Sequence, residues 1–230
     1  MLFVHGSPGD HTSMLPVAER APEGVRVGLL DLPGHGAAAV EPSSVADCEA
    51  AVLDAVAQMP GELVLVGHSF GGYLCAAVSD RLPQRCARIV GVAAVGALSK
   101  DAFDMRRALL AQVVAGDQTP ESLRELCLGL FLGSTRAPEY EAVLEPCLTL
   151  SAEDWKRVLE RVLELESRPD VRLHRPGVCI HGTRDVAVPV DTGRALAQIS
   201  GAAMHEVDTD SHMLTLTHPD FVASHVFASP

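Results

Sequence analysis

Three residues far apart in the chain have the types and order to act as one catalytic unit. Ser69 stands in Gly67-His68-Ser69-Phe70-Gly71, directly after the strand-like run Leu63–Val66 and just before a helical pattern. So short a connection between strand and helix requires a very sharp turn, whose apex residue is held at a backbone angle costing about 1–3 kcal/mol. Side chains two positions to either side would strike backbone, so glycine is needed at both. The result is the G-x-S-x-G elbow, which presents one hydroxyl at the edge of a sheet. A serine hydroxyl is a weak nucleophile that needs a base, and the base needs an orienting acid. Downstream, "CIHGTRDVAVP" ends a strand at Ile180 and sets Asp185 on the loop that follows. "HEVDTDSHML" ends another strand and sets His212 on its loop. The order serine, acid, histidine is the one expected with this elbow, and the chemistry it serves is acyl transfer through a serine ester.

These residues must be positioned by strands that run the same way. Strand candidates are Leu2–Val4, Val25–Leu30, Leu63–Val66, Arg88–Ala94, Val178–Ile180 and Met204–Val207, short and mostly apolar on both faces. Such runs suit a sheet covered by helices on each side. Between them lie helical patterns. One starts at Ser43 or Ser44 as N-cap and ends before Pro60-Gly61; others cover Phe70 to Pro83, Val190 to Gly201, and the tail from Pro219. Strand–helix alternation predicts an α/β fold with a doubly wound, mainly parallel sheet of six strands and no antiparallel edge pair. Asp185, His212 and Ser69 then lie at strand C-termini on one edge.

Residues 97 to 170 break this rhythm with four successive helical patterns, the last opened by the capping pattern Ser151-Ala152-Glu153-Asp154. The domain reading is therefore a core of residues 1–96 and 171–230 and a helical cap of residues 97–170. An insertion after a strand C-terminus is placed to act as a lid, although a simple packing extension would show the same helices. If it covers the site its inward face should be aliphatic, with Leu109, Leu110, Val113, Leu126, Leu130 and Phe131 as candidates, some of which must only hold the helices together. An aliphatic pocket favours uncharged acyl groups.

Composition limits the partners. The chain has 230 residues and a formal net charge of -12, which argues against nucleic acid, because phosphate binding needs clustered Lys and Arg. No apolar run is long enough for a membrane span, and no secretory signal opens the chain. The six cysteines, Cys48, Cys75, Cys86, Cys127, Cys147 and Cys179, show no CxxC pairing and mostly sit in apolar surroundings. They read as reduced, buried thiols of a cytoplasmic protein, and their spacing does not suit zinc.

The sequence resembles the α/β-hydrolase superfamily, in its lid-bearing, serine esterase-like branch. The matching pieces are "HGSPG" at 5–9, "DLPGHG" at 31–36, "GHSFGG" at 67–72, "HGTRDVAVP" at 181–189 and "DSHM" at 210–213, in the family's order along nearly the whole chain. The resemblance implies Ser69 as nucleophile, His212 as base and Asp185 as acid. It also implies an oxyanion hole made by the backbone N–H groups of Ser7 and Phe70, with neither metal nor organic cofactor and a small-molecule acyl substrate. Two features depart from the family pattern. No hairpin stands before the His-Gly strand, which starts at residue 2, so either the first two strands are absent or the open reading frame is short; and Ser211 replaces the usual glycine before the histidine. Asp101 stands where some relatives place their acid, but the complete frame around Asp185 favours the latter.

Other histidines read as structural. His5 shapes its loop, His35 belongs to a glycine-rich turn, His68 packs under the site, and His181 is buried and satisfied. His205 comes too early in its strand to face Ser69, while His174, His218 and His225 carry no signal. Trp155 reads as core of the helical insertion ahead of substrate contact. The expected activity is hydrolysis of a carboxylic ester or related acyl substrate. Thioesterase, lactonase, aminopeptidase, carbon–carbon bond hydrolase and perhydrolase activities share the same residues, as would a slow ligand sensor or partner-binding protein that keeps the triad.

Overall fold

A computed structural model of the chain describes residues 1–38, 44–96, 99–168, 171–173 and 177–228. Ser43, the bounding residues 97 and 170 of the insertion, and His174 lie outside the described residues. In chain order the strands are β1 (Leu2–Val4), β2 (Gly28–Leu30), β3 (Leu63–His68), β4 (Cys86–Val92), β5 (Gly177–Gly182) and β6 (Ala203–Val207). The helices are α1 (Leu15–Ala18), α2 (Val45–Gln58), α3 (Phe70–Ser79), α4 (Lys100–Ala115), α5 (Pro120–Leu132), α6 (Pro138–Leu148), α7 (Ala152–Glu164), α8 (Val190–Ser200), α9 (Leu214–Thr217) and α10 (Pro219–Val226).

The six strands form one sheet in the order β2-β1-β3-β4-β5-β6, and every neighbouring pair is parallel. The chain runs outward from β1 to β2 and then returns to place β3 on the other side of β1. The loops after β1 and β3 therefore face each other at the topological switch point, where sheets of this kind bind their ligands. Alternation along the strands sends Leu2, Val4, Leu65, Ile89 and Cys179 to one face, where α2, α3 and α8 cover them. Phe3, Val66, Val90, Val92, Val178 and Ile180 go to the other face, against α1, α9 and α10. All six cysteines are buried.

Differences from the expected strand bounds have local causes. The second strand shortens to Gly28–Leu30 because β1 offers only Leu2, Phe3 and Val4 as ladder partners. The fourth ends at Val92 because Ala93 takes φ 45°, which turns the chain out of the sheet. The helix starts follow side-chain chemistry. Ser44 caps α2 in a reciprocal capping box with Asp47. At α7, Ser151 accepts from Asp154 N–H, and the Asp154 carboxylate takes the Ser151 hydroxyl.

Helices α4 to α7 lie between β4 and β5 and enclose an apolar cluster of their own. Leu123, Cys127, Leu128, Leu132, Leu144, Leu148, Trp155 and Leu159 form it, joined by Met213 and Leu216 from the segment beyond β6. Among the described residues, no helix is long and apolar enough to cross a membrane.

Candidate active site

The elbow is built by contact as well as by strain. Ser69 sits between β3 and α3 at φ 51° and ψ -117°, outside the regions open to ordinary residues. A Cβ on Gly67 would come 2.5 Å from the Gly71 carbonyl carbon, and one on Gly71 would come 2.5 Å from the His5 carbonyl oxygen. Neither position has room for any other residue. The turn is locked from beneath: Ser69 N–H donates to Val92 O at 2.9 Å, and Ser69 O accepts from Val95 N–H at 3.1 Å.

Asp185 follows β5 and His212 follows β6, so parallel strands carry both to the edge that holds Ser69. His212 Nδ1 lies 2.7 Å from Asp185 Oδ2. Because an ionised carboxylate only accepts, this fixes the proton on Nδ1 and leaves the Nε2 lone pair free to act as base. Asp185 Oδ1 accepts from Ala187 N–H and Val188 N–H, each at 2.9 Å. Burial alone would raise the Asp185 pKa. The facing His212 and the hydrogen bonds from His181, His212 and Val188 outweigh it and hold the carboxyl well below the usual carboxylate range. Ser69 and His212 line one cavity, although no hydrogen bond joins them among the described residues. Such contacts are often long without substrate and tighten once it is bound.

Ser7, after β1, and Phe70, beside Ser69, line the same cavity. Among the described residues, neither backbone N–H has a backbone partner. Behind Ser7 lies a chain of buried polar groups. His35 Nδ1 donates to Pro33 O at 3.0 Å, which leaves Nε2 to accept from Ser7 Oγ at 3.1 Å and Arg161 Nη1 at 3.2 Å. Burial, then the nearby His5 and Arg161, lower the His35 pKa to about 4, so the ring works as a neutral acceptor. The glycine-rich turn thus does more than shape a loop: it links the insertion, through Arg161 of α7, to the Ser7 segment.

The other histidines hold the frame. His5 Nδ1 donates to Gly6 O, and its Nε2 accepts from Leu32 N–H, tying the loops after β1 and β2 together. His68 Nε2 donates to His212 O at 3.0 Å and its ring packs against His212, with centroids 4.8 Å apart. Burial, then the neighbouring His212, push its pKa down to about 3, which keeps it neutral. His181 Nε2 reaches Val188 O at 2.8 Å. His205 packs against His225 with its ring tilted by 45°. Asp101 is exposed in the first turn of α4 and makes no contact with His212 among the described residues.

Sequence reasoning missed how the His212 loop is held. The carbonyl of Phe131, in the last turn of α5, accepts from His212 N–H at 2.9 Å, Met213 N–H at 3.1 Å and Ser211 Oγ at 3.1 Å. The Ser211 hydroxyl thus joins the bonding of the loop to α5. Nothing in the sequence around Phe131 signals a carbonyl acceptor, since every residue offers one.

The cavity has a volume of about 510 Å³. Leu109, Leu126, Leu130 and Phe131 line it, whereas Leu110 and Val113 belong to the apolar cluster among the helices. Trp155 belongs to that cluster and lines the cavity as well. At the rim, Gln112, Gln118 and Ser122 bond to one another.

The model of the alpha/beta hydrolase family matches residues 1–225, and the chain belongs to that family. It is 29% identical over 219 residues to the pimeloyl-[acyl-carrier protein] methyl ester esterase of Chromobacterium violaceum, covering 90% of this chain and 84% of that protein. It is 24% identical to the biotin biosynthesis bifunctional protein BioHC of Teredinibacter turnerae, which covers 97% of this chain. The chain spans 43% of that bifunctional protein and 46% of its counterpart from Cellvibrio japonicus. Among solved structures, a hydrolase from Pseudomonas aeruginosa superposes with a TM-score of 0.81 at 18% identity, over 99% of this chain and 89% of that one. A thermophilic esterase from Thermogutta terrifontis gives a TM-score of 0.75 at 24% identity, over 98% and 86%. These two likenesses are of fold.

Proposed function

We propose that this chain is a serine hydrolase that cleaves a carboxylic ester through an acyl-enzyme. Ser69 acts as nucleophile, His212 as base, Asp185 as orienting acid, and the Ser7 and Phe70 N–H groups as the oxyanion hole. The observation that carries the reading is the Asp185–His212 bond: it frees Nε2 in the cavity where the strained Ser69 presents its hydroxyl. In the first half-reaction His212 Nε2 takes the Ser69 proton as Oγ attacks the carbonyl carbon. The resulting oxyanion is met by donors fixed before the reaction, which is the main source of rate in such sites. His212 then gives the proton to the departing alcohol, and the acyl group stays on Ser69. In the second half His212 deprotonates a water, which attacks the acyl carbon and releases the acid with Ser69 restored. Asp185 remains ionised throughout and stabilises the imidazolium. The esterase relatives, named for a methyl ester, support an oxygen ester as the bond broken.

In the same reading residues 97–170 form a cap over a core of residues 1–96 and 171–230. The cavity supports this, because its lining comes from both parts. A panel of aryl esters of rising acyl length, run on wild type and Ser69→Ala, tests the proposal. Each buried methylene contributes about 0.8 kcal/mol, so kcat/KM should climb severalfold per carbon until the cavity is full. Ser69→Ala should be inactive at every length. A flat profile, or activity retained in the variant, contradicts it.

A further inference from the structure

Arg106, on α4, is the one residue with a permanent charge among the described residues lining the cavity. It donates to Ala102 O through Nη1 and to Ala187 O through Nη2, each at 2.9 Å. A guanidinium has five N–H donors, so these two bonds leave capacity for a ligand. Other arginines of the chain are used differently. Arg107, Arg124, Arg136, Arg157, Arg168 and Arg194 all meet carboxylates. Arg85 and Arg88 are each spent on three backbone carbonyls. Arg106 has neither arrangement: among the described residues no carboxylate lies within ion-pair distance. Its nearest charged influence is Asp185, whose oxygens already serve Ala187, Val188 and His212. The bond to Ala187 places the guanidinium beside the acid loop, within the cavity that holds the nucleophile.

A half-buried cation with no carboxylate in ion-pair contact among the described residues, set among Leu109, Leu130, Val158 and other apolar lining residues, is best satisfied by an anion that enters with the substrate. Resting on the serine-hydrolase reading above, we propose that Arg106 is a carboxylate-binding residue of the substrate cavity, and that the preferred substrates are esters carrying one free carboxylate, such as hemiesters of short dicarboxylic acids. This reverses the expectation, drawn from an aliphatic pocket, that uncharged acyl groups are favoured. The apolar wall still takes the methylenes, and Arg106 takes the charge.

The test compares monomethyl glutarate with methyl valerate by pH-stat on wild type, Arg106→Gln and Arg106→Lys. A hydrogen bond to a charged group gives about ten- to hundredfold. The wild-type ratio of kcat/KM, hemiester over neutral ester, should be about tenfold or more. It should fall at least tenfold in Arg106→Gln and recover in part in Arg106→Lys. Because each ratio is taken within one enzyme preparation, loss of folded protein cannot mimic it. A wild-type ratio below one, or a ratio unmoved by Arg106→Gln, overturns the assignment. Calorimetric binding of glutarate to Ser69→Ala, with and without Arg106→Gln, gives the second arm. A tenfold weakening on removing the arginine supports the subsite, and equal affinities overturn it. Hydrolysis of methyl valerate by Ser69→Ala would instead contradict the nucleophile assignment, while the binding arm still decides the role of Arg106.

Discussion

The C-terminal edge of the sheet and the helices above it obey different rules. At the edge, backbone geometry dictates residue type: Gly67 and Gly71 are pressed against carbonyl groups, and Ser69 is held at φ 51°. In helices α4 to α7, caps and apolar spacing dictate only a class of residue, and surface ion pairs such as Arg124 with Glu141 and Glu145 fill the outer face. A position of the first kind tolerates almost no change. A position of the second kind should, in the proposed reading, change what the site accepts and leave its chemistry alone. In the proposed reading the edge supplies the reaction, and the helices supply the selection.

The sharpest way to break this contrast is to exchange one acid from each region. Asp185→Asn should leave the fold intact and lower kcat about 10⁴-fold, because the imidazole loses the group that fixes its tautomer. Asp101→Asn, in the exposed first turn of α4, should be nearly silent. Reversed results would move the acid to the segment after β4.

Two Gly→Ala changes sharpen the contrast in stability. Gly71→Ala forces a Cβ into the carbonyls of Val4 and His5 and should cost about 3 kcal/mol or more, read as a clear fall in Tm. In α5, the nearest atom to a Cβ on Gly129 would be Arg136 Nη2 at 4.0 Å. Alanine there should raise stability by about 0.5–1 kcal/mol through helix propensity. A smaller effect is expected from Leu130→Ala, which shortens the apolar wall. Kcat/KM for medium-chain esters should fall about tenfold, with acetate changed much less.

The smallest effect is a pH dependence. The Asp185 carboxyl is held below its ordinary pKa of 3.8, so its bonds stabilise the fold fully above that value. That contribution is lost as pH falls below 3.8 toward the lower native value. Acid unfolding of Asp185→Asn, followed by circular dichroism, should therefore be less steep with pH in this range than that of wild type. An identical acid limb in the two proteins would mean that Asp185 contributes nothing there.

The same contrast explains what could be read from the sequence. The six parallel strands were legible because two-sided burial leaves continuous apolar runs, and sharp turns leave glycine. Ser69, Asp185 and His212 could be picked out as candidates because each stands in a frame of special residues after a strand. Phe131 was not, because its part is played by a backbone carbonyl that carries no residue signature. His35 was legible as a turn residue only, since its link to Arg161 spans 126 positions. Arg106 was hidden among the other charges of an amphipathic helix, and only its place in the cavity separates it from them.

The central claim is that Ser69 carries the acyl group. Reaction with a fluorophosphonate, followed by intact mass and peptide mapping, tests it most directly. A single adduct on Ser69, absent from Ser69→Ala and much slowed in a His212→Ala variant, is the result this account predicts. An adduct on another serine that persists in Ser69→Ala would contradict it.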